Sequence, residues 1–361
     1  MPRVSVVISS YDRRQLLTAA LRTALLQREV DLEVIVVDNG SADGTQEYLA
    51  SCQDPRLRVI RNEVSLGSVG GRNTGLAVAR GEWVGFLDDD DLWSPNKLHS
   101  QLQAADSTGR DWVYTGCVHI DGHNQIISGR PPLPPERVME ELPFRFVIRG
   151  GMSNLIWRRG CLDVDGLLDP RLPFPADWDV SLRLARRGPP AVVPRPMVAY
   201  RQHETNMSRD AERFQKELDL LERKRADLGG GNPLDWSLQH RFIGSEALRA
   251  GSRLGALRSF SRAVAAGDIG SFPRAAASLL PTDVRRWLHR ELVSDSGWLQ
   301  EAESWLAPLR LELEELSATD PSQSAKVVRR QPTELVEHRM RGRRNRRFGT
   351  GTLRRRYGRS S

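Results

Sequence analysis

The sequence predicts an α/β domain with a mostly parallel central sheet and flanking helices, followed by a helical C-terminal region and a basic tail. In the first hundred residues, apolar and β-branched runs alternate with segments of helical periodicity, which is typical of βαβ units. Polar loops follow three of the apolar runs. Because ligands bind beyond the carboxyl ends of parallel strands, we expect these loops to converge on one functional edge of the sheet.

The secondary-structure elements are predicted from apolar periodicity and from the Gly, Pro, Asn and Asp residues that mark turns and the ends of helices and strands. In the N-terminal part, the pattern predicts strands at 3–9, 33–37, 57–60 and 83–87 and helices at 13–27, 44–51, 70–79 and 95–106. Ser94 and Pro95 have the residue types of an N-cap and a first helical position. Later segments predict strands at 111–119, 152–157, 192–193 and 197–200, a Pro-rich connection at 130–150, and helices at 176–187 and 206–228.

The Gly-rich breaker at 229–233 predicts a domain boundary. We therefore expect a catalytic-type α/β domain at 1–230, a helical region at 231–320 and a disordered tail at 321–361, where apolar content is low. Residues 322–361 contain 13 Lys and Arg against two Glu, a net charge of +11. Since the whole chain has a net charge of +7, the remainder carries −4 and is mildly acidic.

Composition also bears on the cellular setting. The 361 residues are 39% hydrophobic, which supports a real core. The three cysteines, Cys52, Cys117 and Cys161, are widely spaced and form no Cys-x-x-Cys motif, so a reduced, cytoplasmic setting is expected. The N-terminal residues enter a strand pattern directly, without a signal-peptide pattern, and no apolar run reaches 18 residues.

Four consecutive carboxylates, Asp88 to Asp91, end the fourth predicted strand. Adjacent anions at the mouth of a buried strand repel one another, so a positive charge is expected beside them. Carboxylates on a short turn suit a hard divalent cation with oxygen ligands, and Mg²⁺ or Mn²⁺ shared with a diphosphate fits this chemistry. The alternative is a solvated acidic loop or helix cap, although a cap requires only one carboxylate.

Seven segments, taken together and in this order, resemble the family 2 inverting glycosyltransferases with a GT-A fold. The resemblance covers about residues 2–210 and includes the strings VSVVISSYDR (4–13), VIVVDNGSADGT (34–45), GGRNTGLAVARGEW (70–83), FLDDDDLWSPNKL (86–98), DVDGLLDPRL (163–172), DWDVSLRLA (177–185) and YRQH (200–203). It implies a GT-A-like fold, a nucleotide-sugar donor, a divalent metal and transfer with inversion at the anomeric carbon.

The resemblance assigns the metal and phosphate side of the site. The D-x-D motif of the family matches Asp88 and Asp90, and its register can shift by one within the four-Asp run. Asp90 is the expected metal ligand, and Asp88 or Asp89 is expected to contact the ribose or support the metal ligands. His203 matches a position that can lie near the metal or the diphosphate. The implied cofactor is Mn²⁺ or Mg²⁺.

Further residues are implied for the nucleotide. Asp38 matches the position that binds the base, and Asn39 stands where many relatives have a second Asp. Tyr11 is expected to stack on the base, with Ser9 and Asp12 lining the site. Arg72 is expected to approach the base or the diphosphate. The simpler structural interpretations are a strand-end turn for Asp38, a core position for Tyr11 and a surface ion pair for Arg72.

The acceptor hydroxyl needs a base, and a carboxylate can supply it. In the family this base is the Asp of a Glu-Asp pair before Trp, which matches Asp177, but Ala176 replaces the usual Glu. Asp177 also opens a predicted helix, so an N-cap is the alternative role. Order along the chain further suggests that Ser153, Asn154 and Trp178 border the acceptor.

The resemblance leaves donor and acceptor open. UDP-, dTDP- and GDP-linked sugars remain as donors, and a glycan, a lipid-linked molecule or a small molecule as acceptor, with cell-envelope polysaccharide synthesis as the expected setting. A nucleotidyltransferase or a dehydrogenase is disfavoured, because neither a basic Gly-rich loop nor Gly-x-Gly-x-x-Gly follows the first strand. The alternative from a different class is a catalytically impaired GT-A-fold scaffold on an anionic surface, favoured only by Ala176.

The basic tail has three open interpretations. It could associate peripherally with an anionic membrane at the inner face of the cell membrane, which suits a lipid-linked acceptor. It could bind nucleic acid through phosphate contacts, although no groove-reading motif accompanies it, so nucleic acid is not an expected partner. It could also be a solvated tail without a partner.

Overall fold

A computed structural model describes residues 1–162, 168–202, 211–227, 233–249, 251–279 and 296–319. The strands are β1 (Val4–Ser10), β2 (Leu32–Asp38), β3 (Leu57–Arg61), β4 (Trp83–Phe86), β5 (Leu92–Trp93), β6 (Trp112–Ile120), β7 (Ile126–Arg130), β8 (Ile156–Arg158) and β9 (Ala191–Arg201). The first helices are α1 (Arg14–Leu25), α2 (Thr45–Ser51), α3 (Gly67–Val78), α4 (Lys97–Thr108), α5 (Pro135–Glu141), α6 (Gly151–Asn154) and α7 (Ala176–Ala185). They are followed by α8 (Ala211–Asp227), α9 (Trp236–Arg249), α10 (Arg253–Ala265), α11 (Phe272–Ala277) and α12 (Ser296–Thr319).

The strands form one mixed sheet in the order β3-β2-β1-β4-β8-β6-β9-β5, with β7 paired to β6. The strands β3, β2, β1 and β4 are parallel, so the loops after β1, β2 and β4 meet at one edge, as predicted. β8 then pairs antiparallel with both β4 and β6. The α/β class and the flanking helices are confirmed, and the antiparallel pairings lie in the later strands.

Both faces of β1, β2 and β4 are covered by apolar layers, which explains why these strands are rich in apolar residues. Val7 packs in one layer with Val37 and Phe86, whereas Ile8 packs in the other with Val36. Helix α3 packs closely on β1, which is possible because Gly71 and Gly75 have no side chain. A Cβ at Gly75 would overlap the side chain of Val7, and a Cβ at Gly71 would overlap that of Ser9. This close approach brings the rest of α3 to the functional edge of the sheet.

Three predicted boundaries are wrong for local reasons. The helix expected from Pro95 begins at Lys97, because β5 pairs with β9 and the Ser94 N–H donates to the Met197 carbonyl at 2.9 Å. The strand expected at 152–157 starts only at Ile156, since α6 precedes it. The two short strands expected near 192–200 are one strand, β9, in which register shifts opposite β6 accommodate the two prolines.

The C-terminal region contains the helices that the sequence predicts. Helix α9 is attached to the α/β part through the Asp235 N–H, which donates to the Phe144 carbonyl at 3.0 Å. Helix α12 is attached through Trp298, whose ring fills the space beside Gly116, and through Trp305, whose indole N–H donates to the Pro196 carbonyl at 2.8 Å. Within the described ranges, no helix combines the length and the apolarity needed to cross a bilayer.

The predicted disordered tail and the glycines at the expected 230/231 boundary lie outside the described residues. The domain division at 230 and 320 therefore stays a prediction. The residues Met1–Arg310 form one compact unit, which contains the whole cleft discussed below.

Candidate active site

A cleft of about 2160 Å³ crosses the functional edge of the sheet. This is larger than the roughly 300–1,000 Å³ of a typical small-molecule site, so it has room for more than one substrate. The cleft brings together many of the residues singled out in the sequence: Ser9, Tyr11, Asn39, Arg72, Asp88, Asp89, Asp90, Asp177 and Trp178.

The acidic run divides into two parts that face different ways. Asp88, Asp89 and Asp90 line the cleft, whereas Asp91 is fully buried. The Asp91 carboxylate accepts hydrogen bonds from the Ser153 hydroxyl at 2.6 Å and from the Arg201 N–H at 2.9 Å. This orientation leaves Asp88 to Asp90 as the part of the run that can meet a ligand.

Two arginines supply the positive charge expected beside these carboxylates. Arg13 donates to Asp89 at 3.1 Å and to Asp90 at 2.9 Å, and Arg72 pairs with Asp88. Burial and the neighbouring Asp90 charge still raise the pKa of Asp89 to about 7. The cluster thus carries more negative charge than its surroundings easily accommodate.

Ser153 connects the acidic run to the opposite wall of the cleft. Its hydroxyl accepts from the Asp88 N–H at 3.0 Å while donating to Asp91, and its carbonyl accepts from the Trp93 indole at 2.7 Å. Ser153 and Asn154 are fully buried and do not line the cleft, so the structure places them behind the predicted acceptor wall. From this position they can orient the wall but do not reach an acceptor.

Replacing Ser153 with Ala is expected to lower the free energy of unfolding by about 1–3 kcal/mol, because it leaves the Asp88 N–H without its acceptor and removes one of the hydrogen bonds to the buried Asp91 carboxylate. Urea denaturation of the two proteins measures this difference. Ser107→Ala is a matched control, since that hydroxyl is exposed and bonds only to the Ala104 carbonyl. Equal destabilisation by the two substitutions would contradict the role given to Ser153.

Asp177 lies at the start of α7 and lines the cleft. Its carboxylate accepts from the Trp178 N–H at 2.8 Å, and surrounding protein that displaces water raises its pKa to about 7, against the opposing effect of Arg72. A carboxyl group with this pKa can exchange a proton near neutral pH, as a general base must. Trp178 itself is buried, and its indole donates to the Leu142 carbonyl at 2.8 Å.

Gly151 forms the surface against which the Asp177 carboxylate rests. Its φ is +50°, and an added Cβ would lie 2.8 Å from Asp177 Oδ2. Gly151→Ala is therefore expected to displace the carboxylate and, for the sugar transfer that the motifs predict, to reduce the rate by about 100-fold, the scale of a misplaced catalytic group. Steady-state kinetics with a fixed donor and acceptor measure this effect.

The variant Gly109→Ala is a control that distinguishes the steric clash at Gly151 from the backbone strain of Ala at a positive φ. Gly109 has a φ of +64°, and an added Cβ would meet nothing within 4 Å. This variant is expected to lose some stability but to keep its rate. If both variants kept the wild-type rate, Gly151 would have no part in placing Asp177.

The part of the cleft that follows β1 contains Tyr11, which is 49% exposed, so the predicted stacking on a planar base is sterically open. Asn39 is buried and holds the following loop, accepting from Asn62 at 2.9 Å and donating to the Gly67 carbonyl at 3.0 Å. Ser9 lines the cleft where α3 approaches β1.

Asp38 and Asp12 do not line the cleft. Asp38 is 1% exposed, pairs with Arg61 and accepts from the Ser41 N–H at 2.9 Å, so contact with a base would require Arg61 to move. Asp12 accepts from the Ala42 N–H at 2.7 Å and joins the loops after β1 and β2. Their predicted contacts with the nucleotide stay predictions.

The carboxylates fit a hydrated divalent ion. Among the residues that the structure describes, no group of three or more His, Cys, Asp or Glu side chains is spaced to hold a metal. Mg²⁺ needs no such cage, because it is usually bound through one or two carboxylates, several waters and substrate phosphates. Asp90 and Asp88 on the cleft wall provide oxygen ligands of this kind. His203, the other predicted metal residue, lies outside the described residues.

Sequence reasoning did not single out Arg13, and it included Gly151 only as part of the loop 144–154, which order along the chain places at the border of the acceptor side. Arg13 could have been found from its place directly after Tyr11 and Asp12, together with the charge that the acidic run requires. Gly151 carries no such signal, because its role depends on the positive φ that brings α6 against Asp177. The residues that α9 contributes to the cleft, such as Gln239 and Phe242, also lie in a region without a recognisable motif.

Comparison with known proteins identifies the class. Residues 5–158 match the model of Glycosyl transferase family 2. The chain is 30% identical over 220 residues to the succinoglycan biosynthesis protein ExoO of Rhizobium meliloti (strain 1021), covering 58% of this chain and 63% of that protein. It is 32% identical over 125 residues to the Escherichia coli UDP-Glc:alpha-D-GlcNAc-diphosphoundecaprenol beta-1,3-glucosyltransferase WfgD, covering 35% and 49%. The chain thus spans less than two thirds of each of these relatives.

A solved structure with the same fold is S. aureus TarS 1-349 in complex with UDP-GlcNAc, which has a TM-score of 0.52 and 18% identity over 88% of this chain and 92% of that chain. Residues 5–158 thus match glycosyl transferase family 2, and the fold of the chain is GT-A-like, as its motifs predicted.

Proposed function

We propose that this protein is a metal-dependent inverting glycosyltransferase that moves a sugar from a nucleoside diphosphate to an acceptor hydroxyl in cell-envelope polysaccharide synthesis. The observation that carries the proposal is the placement of the carboxylates Asp88 to Asp90 and of Asp177 in one cleft, with Arg72 paired to Asp88 and close enough to Asp177 for their charges to interact. The family match and the names of the relatives, which include a UDP-Glc-dependent glucosyltransferase and a succinoglycan biosynthesis protein, support the same reaction class.

The residues divide the reaction between two ends of the cleft. Tyr11 stacks on the base, and Arg13 and Arg72 can turn from the carboxylates to the donor phosphates. Mn²⁺ or Mg²⁺, held through Asp90 and Asp88, would supply positive charge that stabilises the departing nucleoside diphosphate. Asp177 takes the proton of the acceptor hydroxyl, the acceptor oxygen bonds to the anomeric carbon, and the bond from that carbon to the phosphate oxygen breaks.

The catalytically impaired scaffold remains the second candidate, and it depends on Ala176, which stands where the family usually has Glu. Ala176 is buried, so a carboxylate at this position would not be exposed to solvent here. The position of Asp177 in the cleft favours the enzyme. For either candidate, we propose a cytoplasmic location, with the basic residues 322–361 providing peripheral association with an anionic membrane.

A panel of nucleotide sugars tests the proposed function. The purified chain is incubated with UDP-, dTDP- and GDP-linked sugars in Mn²⁺, Mg²⁺ or EDTA, and thermal stabilisation and release of nucleoside diphosphate are measured. We expect one nucleotide to stabilise the chain and to be released, in both cases only when metal is present. The absence of stabilisation and release with every donor would overturn the proposal.

A further inference from the structure

The side chain of Arg13 occupies Asp90, the carboxylate to which the proposed function assigns the metal ion. Its Nη1 atom donates to Asp90 at 2.9 Å and to Asp89 at 3.1 Å. Both pairs are shielded from water, because the side chains of Asp89 and Asp90 are only 8% and 15% exposed. Shielding of this kind strengthens an ion pair. A cation that binds Asp90 must therefore compete with a guanidinium group that is already in place.

The two arginines beside the acidic run differ in how firmly they are held. The Arg72 side chain is 11% exposed and pairs with Asp88, whereas the Arg13 side chain is 28% exposed. Arg13 is the N-cap residue of α1, and its side chain makes no capping hydrogen bond there. Asp89 also accepts from the Ser10 hydroxyl at 2.7 Å. Movement of Arg13 would therefore break no cap of the helix, and Asp89 would remain anchored.

The charges around the acidic run favour the binding of metal and diphosphate together over the binding of metal alone. Three carboxylates, Asp88 to Asp90, face two guanidinium groups, so a divalent cation that bound alone would leave the ionised cluster with a net positive charge. The diphosphate of a nucleotide brings negative charge, and guanidinium groups bind phosphate oxygens through strong, charge-assisted hydrogen bonds. A shift of Arg13 from Asp90 to the diphosphate would end its competition with the metal and keep its own charge paired.

We propose that Arg13 is a displaceable counterion, which opposes the binding of a metal ion alone to Asp90 and moves to the diphosphate when metal and nucleotide bind together. This inference rests on the proposed function and adds to it a positioning residue that makes the two ligands bind cooperatively. By linkage, the nucleotide must tighten metal binding by the same factor as the metal tightens nucleotide binding. The metal ion is therefore retained mainly in the presence of a donor.

The variant Arg13→Gln tests the proposal, because it removes the charge and should change two affinities in opposite directions. Binding of Mn²⁺ to the full chain without nucleotide, measured from the electron paramagnetic resonance signal of the unbound ion, is expected to become about tenfold tighter, since the competing cation is gone. Binding of nucleoside diphosphate in saturating Mn²⁺, measured by calorimetric titration, is expected to become about tenfold weaker through the loss of a charge-assisted hydrogen bond. UDP, dTDP and GDP are titrated, and the one that wild type binds most tightly is compared.

Two further variants distinguish the loss of this charge from a general structural effect. Arg3→Gln removes the same charge from an exposed pair with Asp106, outside the cleft lining, and is expected to bind both ligands like wild type. Arg13→Lys keeps a positive charge and is expected to bind Mn²⁺ alone more weakly than Arg13→Gln does. Partial unfolding of Arg13→Gln would weaken the binding of both ligands and could not tighten the binding of Mn²⁺.

The inference is overturned if Arg13→Gln binds Mn²⁺ alone no more tightly than wild type does, or if its affinity for the nucleoside diphosphate in Mn²⁺ is unchanged. Wild type reports separately on the proposed function. If wild type binds none of the three nucleoside diphosphates in Mn²⁺, the proposed function is contradicted. Binding by wild type, with the same two affinities in Arg13→Gln, contradicts only the role of Arg13.

Discussion

Replacing Asp177 with Asn is expected to reduce the rate of sugar transfer by about 10²–10⁴-fold, the usual contribution of a positioned general base. The amide keeps the shape of the side chain and can still accept from the Trp178 N–H, so folding and UDP binding should be retained. Asp106→Asn is the matched control, because it removes a carboxylate from an exposed pair with Arg3. If Asp177→Asn transferred sugar at the wild-type rate, the assigned base would be wrong.

The pKa of about 7 gives this prediction a pH dependence. The wild-type rate should rise as the pH increases through about 7, because only the ionised carboxylate accepts the proton. The folded state binds this proton more tightly than the unfolded chain, where the pKa is about 3.9, so ionisation destabilises the fold. In metal-free protein, Asp177→Asn should therefore raise the melting temperature most above about pH 7, and this gain should disappear as the pH falls toward about 4.

Replacing Asp90 with Asn is expected to weaken binding of the nucleoside diphosphate identified by the panel, such as UDP, in Mn²⁺ by about 100-fold or more, since even supporting residues of metal sites contribute 10–100-fold. Asp90 lines the cleft and pairs with Arg13, which retains Asp89 when Asp90 is changed. Calorimetric titration of Mn²⁺, with and without UDP, measures the loss.

Removal of the metal provides a second test of whether Asp90 is a metal ligand. EDTA should weaken UDP binding to wild type strongly and to Asp90→Asn hardly at all, because the two changes remove the same interaction and are not additive. Asp106→Asn again serves as the control and should respond to EDTA like wild type. A variant that binds Mn²⁺ and UDP like wild type would show that Asp90 is not a ligand.

The alternation of apolar runs with segments of helical periodicity was sufficient to predict the parallel half of the fold. Strands β1, β2 and β4 are rich in apolar residues because both of their faces are buried, whereas β3 at the edge of the sheet is partly exposed. The later strands depend on distant partners. The two-residue β5 exists because it pairs with β9, more than a hundred residues away, and the prolines in β9 are tolerated through register shifts in that pairing.

The site was predictable to the extent that its residues follow strand ends. The acidic run and Asp177 were found from motifs, and the structure places them in one cleft. Which carboxylates face that cleft could not be predicted, because Asp91 turns inward only through its bonds to Ser153 and Arg201. The contribution of α9 was equally hidden, since it depends on how a helix packs rather than on a local pattern.

The attachment of α9 to the Phe144 carbonyl also has an evolutionary consequence. The donor side and Asp88 to Asp90 lie within the family segment 5–158, whereas Phe242 and its neighbours on α9 lie beyond it. Under the proposed function, we expect substitutions on this helix to change acceptor selection without altering the residues assigned to the nucleotide. Variation of this wall of the cleft, with the rest of the cleft kept, would let the same reaction serve different acceptors.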